Sequence, residues 1–145
     1  MTRPPILLVE DDPTAEKLAL RALARAGCDA PVWVARDGVE ALEQLVGTVG
    51  REPPPLPALV LLDLKLPRID GLEVLRRVRA DARARFVPIV VLTASREERD
   101  LLESYRLGAN AYVRKPLDFG ALTESMRALH AFWLGWNEPA PWSGP

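Results

Sequence analysis

The chain has 145 residues, of which 48% are hydrophobic and 27% charged, and its net charge at pH 7 is −1. This length and composition are typical of one soluble globular domain with a full apolar core. The near-neutral charge does not favour nucleic acid or an anionic membrane as a partner, so we expect neither. With a single cysteine, no membrane-spanning apolar run and no signal-peptide pattern, the sequence indicates a cytoplasmic protein without internal disulfides.

Short apolar runs alternate with amphipathic segments along the chain. Five runs without polar alternation predict strands that are buried on both faces, at residues 6–9, 32–35, 59–62, 89–92 and 111–113. Between and after them, apolar residues recur at helical spacing. Parallel strands need helical crossovers, so the alternation predicts an α/β fold with a doubly wound, five-stranded parallel sheet and five helices.

Helix start signals support this alternation. Four of the five predicted helices open at an aspartate, a good N-cap residue, and these are Asp12, Asp37, Asp70 and Asp118. The fourth helix instead shows a capping box, Ser95 with Glu98, before the apolar residues Leu101, Leu102 and Tyr105.

Polar side chains follow all five predicted strands, and those after four of the strands are distinctive. Glu10 and Asp11 follow the first strand, Asp63 the third, Thr93 the fourth and Lys115 the fifth. The carboxyl ends of parallel strands form the edge where doubly wound sheets bind ligands. Neighbouring carboxylates there suit Mg²⁺, and an amine and a hydroxyl can hold phosphoryl oxygens while Asp63 acts as nucleophile. The pattern therefore predicts a phosphoryl-transfer site.

Four motifs carry a family resemblance: "ILLVEDDP", "LLDLKLPRIDG", "VVLTAS" and "AYVRKP". From residue 6 to about residue 133, the sequence resembles the response-regulator receiver domain of two-component signalling. The resemblance implies a flavodoxin-like sheet with strand order 2-1-3-4-5. It also implies that Mg²⁺ is bound by Asp11, by Asp63 and by the backbone carbonyl of Lys65, with Glu10 acting through water.

The same resemblance assigns roles to the other site residues. Asp63 matches the phospho-acceptor, Thr93 the switch hydroxyl and Tyr112 the rotating aromatic residue. Lys115 matches the lysine that pairs with the acceptor or with its phosphoryl group, and a cis bond is expected before Pro116. The function implied is phosphoryl transfer to Asp63 from a sensor histidine kinase, with self-dephosphorylation, in a signalling protein that is not an enzyme in the ordinary sense.

We expect a receiver domain over residues 1–135 and a tail over 136–145, with no output domain. The segments "SREERDLLESYRLGANAYVRKPLDF" and "FWLGWNEP" resemble the single-domain regulators that accompany bacterial phytochrome-type histidine kinases. A bacterial phytochrome is therefore the expected kind of kinase partner.

Two other function classes share part of this pattern. A phosphohydrolase with a strand-end aspartate usually has a second acid two residues later, where this chain has Lys65. The second class is an interaction module on the same fold that is not phosphorylated. Such a module would lack Asp63, Asp11 or Lys115, and this chain has all three. Arginines between residues 68 and 85 alternate with acids, which favours a solvated helix face over a phosphate-binding surface.

The C-terminal region predicts self-association. An apolar stripe on the fifth helix comprises Phe119, Leu122, Met126, Leu129, Trp133 and Trp136. Phe132 and Leu134 lie off this stripe, and Trp142 follows. Because a large exposed apolar surface usually marks a partner site, we expect a homodimer through the fourth helix, fifth strand, fifth helix and tail. The alternative is a tail that covers its own domain.

Overall fold

The computed structural model describes residues 4–141 and shows five parallel strands in one sheet. The strands are β1 (Ile6–Val9), β2 (Val32–Ala35), β3 (Leu59–Leu62), β4 (Ile89–Thr93) and β5 (Ala111–Arg114). Their order is β2-β1-β3-β4-β5, so the predicted fold class and strand order are confirmed. Val9 is in register with Leu62, which brings the next residues, Glu10 and Asp63, to adjacent strand ends.

Each strand is followed by a helix. The helices are α1 (Pro13–Arg25), α2 (Gly38–Leu45), α3 (Gly71–Ala80), α4 (Glu98–Arg106) and α5 (Phe119–Ala131). The four predicted aspartate caps are confirmed, since each carboxylate accepts a hydrogen bond from the backbone N–H three residues later. None of the described helices has both the length and the apolar character needed to cross a bilayer.

Two apolar clusters cover the two faces of the sheet. On one face, α2 and α3 pack against alternate strand residues, with Leu45, Leu75 and Leu62 fully buried. On the other face, α1 and α5 pack against the intervening residues, among them Leu61 and Met126. This alternation explains why strands β1, β3 and β4 read as continuous apolar runs.

Helix α4 differs from the sequence-based prediction. The capping box is wrong, because the N-cap of α4 is Glu97 without a side-chain cap, and the Ser95 hydroxyl donates to Asp100 instead. The buried residues of α4 are polar, Asp100 and Ser104. Its apolar residues Leu102 and Tyr105 are 56% and 51% exposed.

The C-terminal stripe also departs from its prediction. After α5, residues Phe132–Trp136 form one turn of π-helix, in which the Asn137 N–H donates to the Phe132 carbonyl at 2.7 Å. The wider turn changes the helical phase. Leu134 therefore packs with Trp133 on the α1–α5 face, while Trp136 is 81% exposed. Trp142 lies outside the described residues.

The arginines between residues 68 and 85 make both local and long-range contacts. Arg76 and Arg77 pair with Glu73 on α3, which agrees with the predicted interleaving of acids and bases on a helix face. The Arg79 guanidinium instead donates to main-chain carbonyls outside α3, including that of Gly108 at 2.9 Å.

Candidate functional site

Three acids converge where strands β1 and β3 end. Carboxylate oxygens of Glu10, Asp11 and Asp63 all lie within 4.8 Å of one another. Glu10 is 3% exposed and Asp63 9% exposed, whereas Asp11 faces solvent. Glu10 is further fixed by the Asp12 N–H, which donates to its carboxylate at 3.1 Å. The register of β1 and β3 thus forces like charges together in a partly buried place.

A glycine allows α3 to begin directly against the end of β3. The Gly71 N–H donates to the Leu64 carbonyl at 2.9 Å. A Cβ atom at Gly71 would lie only 2.3 Å from the Asp63 carbonyl oxygen, so any other residue would displace the chain. The "DG" pair that opens α3 therefore also sets the position of the Asp63 backbone.

Lys115 neutralises part of this cluster. Its Nζ contacts the Glu10 carboxylate and lies 3.2 Å from Asp63 Oδ2. Its backbone N–H donates to the Thr93 carbonyl at 2.8 Å, which ties the end of β5 to that of β4. The peptide bond before Pro116 is trans, since the described residues contain no cis bond, and the expected cis isomer is wrong. Trans is the lower-energy isomer even before proline.

Burial and ion pairing act in opposite directions on these groups. Burial raises the pKa of Glu10, and the hydrogen bond from Lys115 opposes that shift. Burial by itself would lower the pKa of Lys115, but the hydrogen bonds and charges of Glu10 and Asp63 outweigh it, so this pKa is raised. The Lys115 ammonium group is consequently charged at neutral pH and places a positive charge beside Asp63.

Thr93 and Tyr112 both contact Ser95. Thr93 is fully buried, and its Oγ1 accepts a hydrogen bond from the Ser95 N–H at 3.3 Å. The Tyr112 hydroxyl donates to the Ser95 carbonyl at 3.2 Å, with its ring packed against the α2–α3 face. The structure thus joins the two predicted switch residues through one loop residue.

Lys65 lies in the loop that follows Asp63. Its backbone N–H is 3.4 Å from Asp63 Oδ1, and its side chain, which is 67% exposed, places Nζ 3.4 Å from Asp100 Oδ2. Asp11, Lys65 and Asp100 help line a cavity of about 320 Å³ beside the acidic cluster.

The donor set fits a hard divalent cation. Carboxylate oxygens are the ligands that Mg²⁺ and Mn²⁺ prefer, and three of them within 4.8 Å carry more negative charge than Lys115 alone balances. Asp11, which faces the solvent, offers the open side from which a cation can enter.

Asp100 was not singled out from the sequence. It is only 4% exposed, and it contacts both Ser95 and Lys65. An acid in the first turn of a helix is ordinarily explained by the helix dipole, so the sequence carries no signal for its burial.

Residues 6–127 match the response regulator receiver domain family. The chain is 42% identical over 139 residues to the probable methanogenesis regulatory protein FilR2 of Methanothrix harundinacea, covering 94% of this chain and 88% of that protein. It is 36% identical over 129 residues to the response regulator Rcp1 of Synechocystis, covering 89% of this chain and 88% of Rcp1.

Solved structures agree with the sequence relatives. The phosphorylated cyanobacterial phytochrome response regulator RcpA superposes with a TM-score of 0.88 at 34% identity, covering 97% of this chain and all of that one. The Mn²⁺-bound form of Rcp1 superposes with a TM-score of 0.84 at 34% identity, covering 95% and 99% of the two chains. The chain therefore belongs to the response regulator receiver domain family of two-component signalling.

Proposed function

We propose that the protein accepts a phosphoryl group on Asp63 from a sensor histidine kinase and signals in the cytoplasm. The observation that carries the proposal is the position of Asp63, 9% exposed at a strand end, with Lys115 Nζ 3.2 Å from its carboxylate. FilR2 and Rcp1 match this chain over 88% of their own lengths, which supports a response-regulator role for it.

The proposed reaction is an in-line displacement at phosphorus. A carboxylate oxygen of Asp63 attacks the phosphorus of a phosphohistidine, the P–O bond forms and the P–N bond to the imidazole breaks. Lys115 then pairs with a phosphoryl oxygen instead of the Asp63 carboxylate. In self-dephosphorylation, water attacks the phosphorus and the Asp63 carboxylate leaves, releasing inorganic phosphate.

A divalent cation is part of this proposal. Asp11, Asp63 and the backbone carbonyl of Lys65 would hold it, with Glu10 acting through water. When bound, Mg²⁺ supplies positive charge that offsets the repulsion between the carboxylates and the incoming phosphoryl oxygens. The three-acid cluster and the Mn²⁺-bound structure of Rcp1 support this assignment.

The proposed switch uses Thr93 and Tyr112. The Thr93 hydroxyl turns to donate to a phosphoryl oxygen, which vacates space that the Tyr112 ring then fills. The two states differ in the contacts available to both side chains, so phosphorylation can shift their populations. Thr93 and Tyr112 already share Ser95 as a hydrogen-bonding partner, which supports a coupled movement.

Mass spectrometry after incubation with acetyl phosphate and Mg²⁺ tests the chemistry. We expect one phosphoryl adduct on the wild type and none on Asp63→Asn or in excess chelator. Asp12→Asn is the matched control, because Asp12 is the neighbouring acid and asparagine also caps helices. An adduct on Asp63→Asn, or equal labelling in chelator, contradicts the proposal.

The kinase is proposed to be of the bacterial phytochrome type. The support is the similarity to RcpA, which is described as a phytochrome response regulator. Phosphotransfer from a bacterial phytochrome kinase should be faster than from an unrelated histidine kinase under identical conditions. Equal rates contradict this part of the proposal.

The proposed assembly is a homodimer that forms through α4, β5, α5 and the C-terminal segment. Strand β5 is at an edge of the sheet, Leu102 and Tyr105 on the neighbouring α4 are exposed, and Phe132 and Trp136 are 50% and 81% exposed. Such apolar surface favours a partner.

Sedimentation at micromolar concentration tests the dimer. We expect Phe132→Asp with Trp136→Asp to produce monomers, whereas Val49→Asp, at a fully exposed apolar residue in the loop before β3, should not. A wild-type monomer with and without phosphorylation contradicts the proposal.

A further inference from the structure

Asp100 is a buried acid that the proposed phosphoryl transfer does not use. It lies in the first turn of α4 and is 4% exposed. Its Oδ2 accepts a hydrogen bond from Ser95 Oγ at 2.6 Å and is 3.4 Å from Lys65 Nζ. The hydrogen bond from Ser95 holds the pKa of Asp100 below its usual range, so the carboxylate is charged. A charge is stable at such a site only because these partners compensate for lost water.

The two partners of Asp100 come from the two loops that border the site. Lys65 is two residues beyond Asp63, and its N–H faces the Asp63 carboxylate at 3.4 Å. Ser95 is two residues beyond Thr93, and its N–H donates to the Thr93 hydroxyl. Asp100 therefore connects the loop after the phospho-acceptor with the loop after the switch threonine.

The contacts of α4 favour a mechanical role for this connection. Neither apolar cluster of the described residues includes a residue from 98–106. The first turn of α4 contacts the site loops through the Asp100 side chain, and within the helix the Ser104 hydroxyl donates to the Asp100 carbonyl at 2.7 Å. A displacement of Ser95 would therefore move α4 through the hydrogen bond from Ser95 to Asp100, because little apolar packing holds the helix in place.

We propose that Asp100 is a positioning residue that holds the Lys65 ammonium to the side of the acidic cluster and couples Ser95 to α4. The proposal rests on the phosphorylation of Asp63 proposed above and adds a residue to it. Without the Asp100 charge, the Lys65 ammonium is free to approach the carboxylates of Asp11 and Asp63, where it competes with a divalent cation.

Mn²⁺ binding, measured by titration calorimetry, tests the first role without any phosphorylation. Partners that orient a metal site typically change metal affinity by about 10- to 100-fold, and we expect Asp100→Asn to weaken Mn²⁺ binding by about 10-fold. Asp70→Asn is the matched control, because Asp70 lines the same cavity, loses the same charge and keeps a capping side chain. We expect a smaller effect from this control, since no hydrogen bond or ion pair within residues 4–141 joins Asp70 to Lys65 or Ser95.

A double-mutant cycle separates positioning from simple charge loss. In a Lys65→Met background, Asp100→Asn should weaken Mn²⁺ binding no more than Asp70→Asn does. The inference is overturned if Asp100→Asn and Asp70→Asn are equal in the wild-type background, or if the Asp100→Asn effect persists undiminished with Lys65→Met.

Ser95→Ala tests the coupling to α4 and stays informative if Asp100→Asn does not fold. In the wild type, acetyl phosphate should change hydrogen exchange in α4. In Ser95→Ala, the adduct should still form but the change in α4 should be lost, and an unchanged response would overturn the coupling. A wild type that takes up no phosphoryl group would instead overturn the proposed function.

Discussion

Helices α3 and α4 border the same site but are attached to the protein by different interactions. α3 buries Val74, Leu75 and Val78 completely, and its first residue, Gly71, meets the Asp63 backbone. α4 buries Asp100 and Ser104. Apolar burial is large and non-directional, whereas one hydrogen bond to a charged group contributes about 1.5–3 kcal/mol net and depends on its geometry. The helix that fixes Asp63 is therefore firmly packed, while the helix beside the switch residues has little apolar packing to oppose its displacement.

The helix starts differ in the same sense. Asp70 caps α3 by accepting a hydrogen bond from the Glu73 N–H at 3.0 Å, while Glu97 makes no such bond at the start of α4. Loss of an N-cap typically costs about 0.5–2 kcal/mol. The first turn of α4 relies instead on Asp100 and its contacts with Ser95 and Lys65.

The largest expected contrast between the two helices is in global stability. Leu75→Ala should lower the free energy of unfolding by about 2–5 kcal/mol, because it removes a fully buried side chain and leaves a cavity. Leu102→Ala on α4, at a side chain that is 56% exposed, should change it by less than about 0.5 kcal/mol. Urea denaturation followed by circular dichroism measures both, and similar losses would show that the comparison is wrong.

The next largest expected contrast between α3 and α4 is in local opening of the helix. Amide hydrogens in residues 101–107 should exchange roughly 10-fold or more faster than those in residues 74–80, since little apolar packing opposes the opening of α4. Acetyl phosphate with Mg²⁺ should alter the exchange of α4 and leave that of α3 unchanged. Asp63→Asn is the control in which neither helix should respond, and a phosphorylation-dependent change confined to α3 would refute this prediction.

The difference between these helices also explains what the sequence could and could not predict. Leu75 and Val78 of α3 have the helical spacing that predicts a buried face, and both are buried. The acidic cluster was predictable because parallel strands bring their carboxyl ends to one edge. Both inferences depend on local patterns and on a general rule of sheet geometry.

The contacts of α4 depend on long-range geometry that the sequence does not display. Leu102 and Tyr105 have the spacing of a buried face, yet the partners available to α4 include Lys65 from a loop 35 positions before Asp100. The π-turn at Phe132–Trp136 is likewise not predicted by the spacing of apolar residues in the sequence.

The smallest expected effect concerns the exposed face of α3. The hydrogen bonds of Arg76 and Arg77 to Glu73 lower the pKa of that carboxyl from 4.5 to about 2. A carboxyl whose pKa is lower in the folded state stabilises the fold above its unfolded pKa, and the contribution is lost as pH falls toward the folded value. Because the group is exposed, solvent screens the ion pairs and the contribution is small.

Glu73→Gln should therefore lower the urea midpoint slightly at pH 7, and the difference from wild type should shrink between about pH 4.5 and about pH 2. High salt at pH 7 should shrink it as well, since it screens surface charges. Leu75→Ala, on the buried face of the same helix, is the control whose midpoint difference should not respond to salt in this way. A Glu73→Gln difference that is constant with both pH and salt would mean that these ion pairs do not stabilise α3, and that its attachment depends on the apolar face and the Asp70 cap alone.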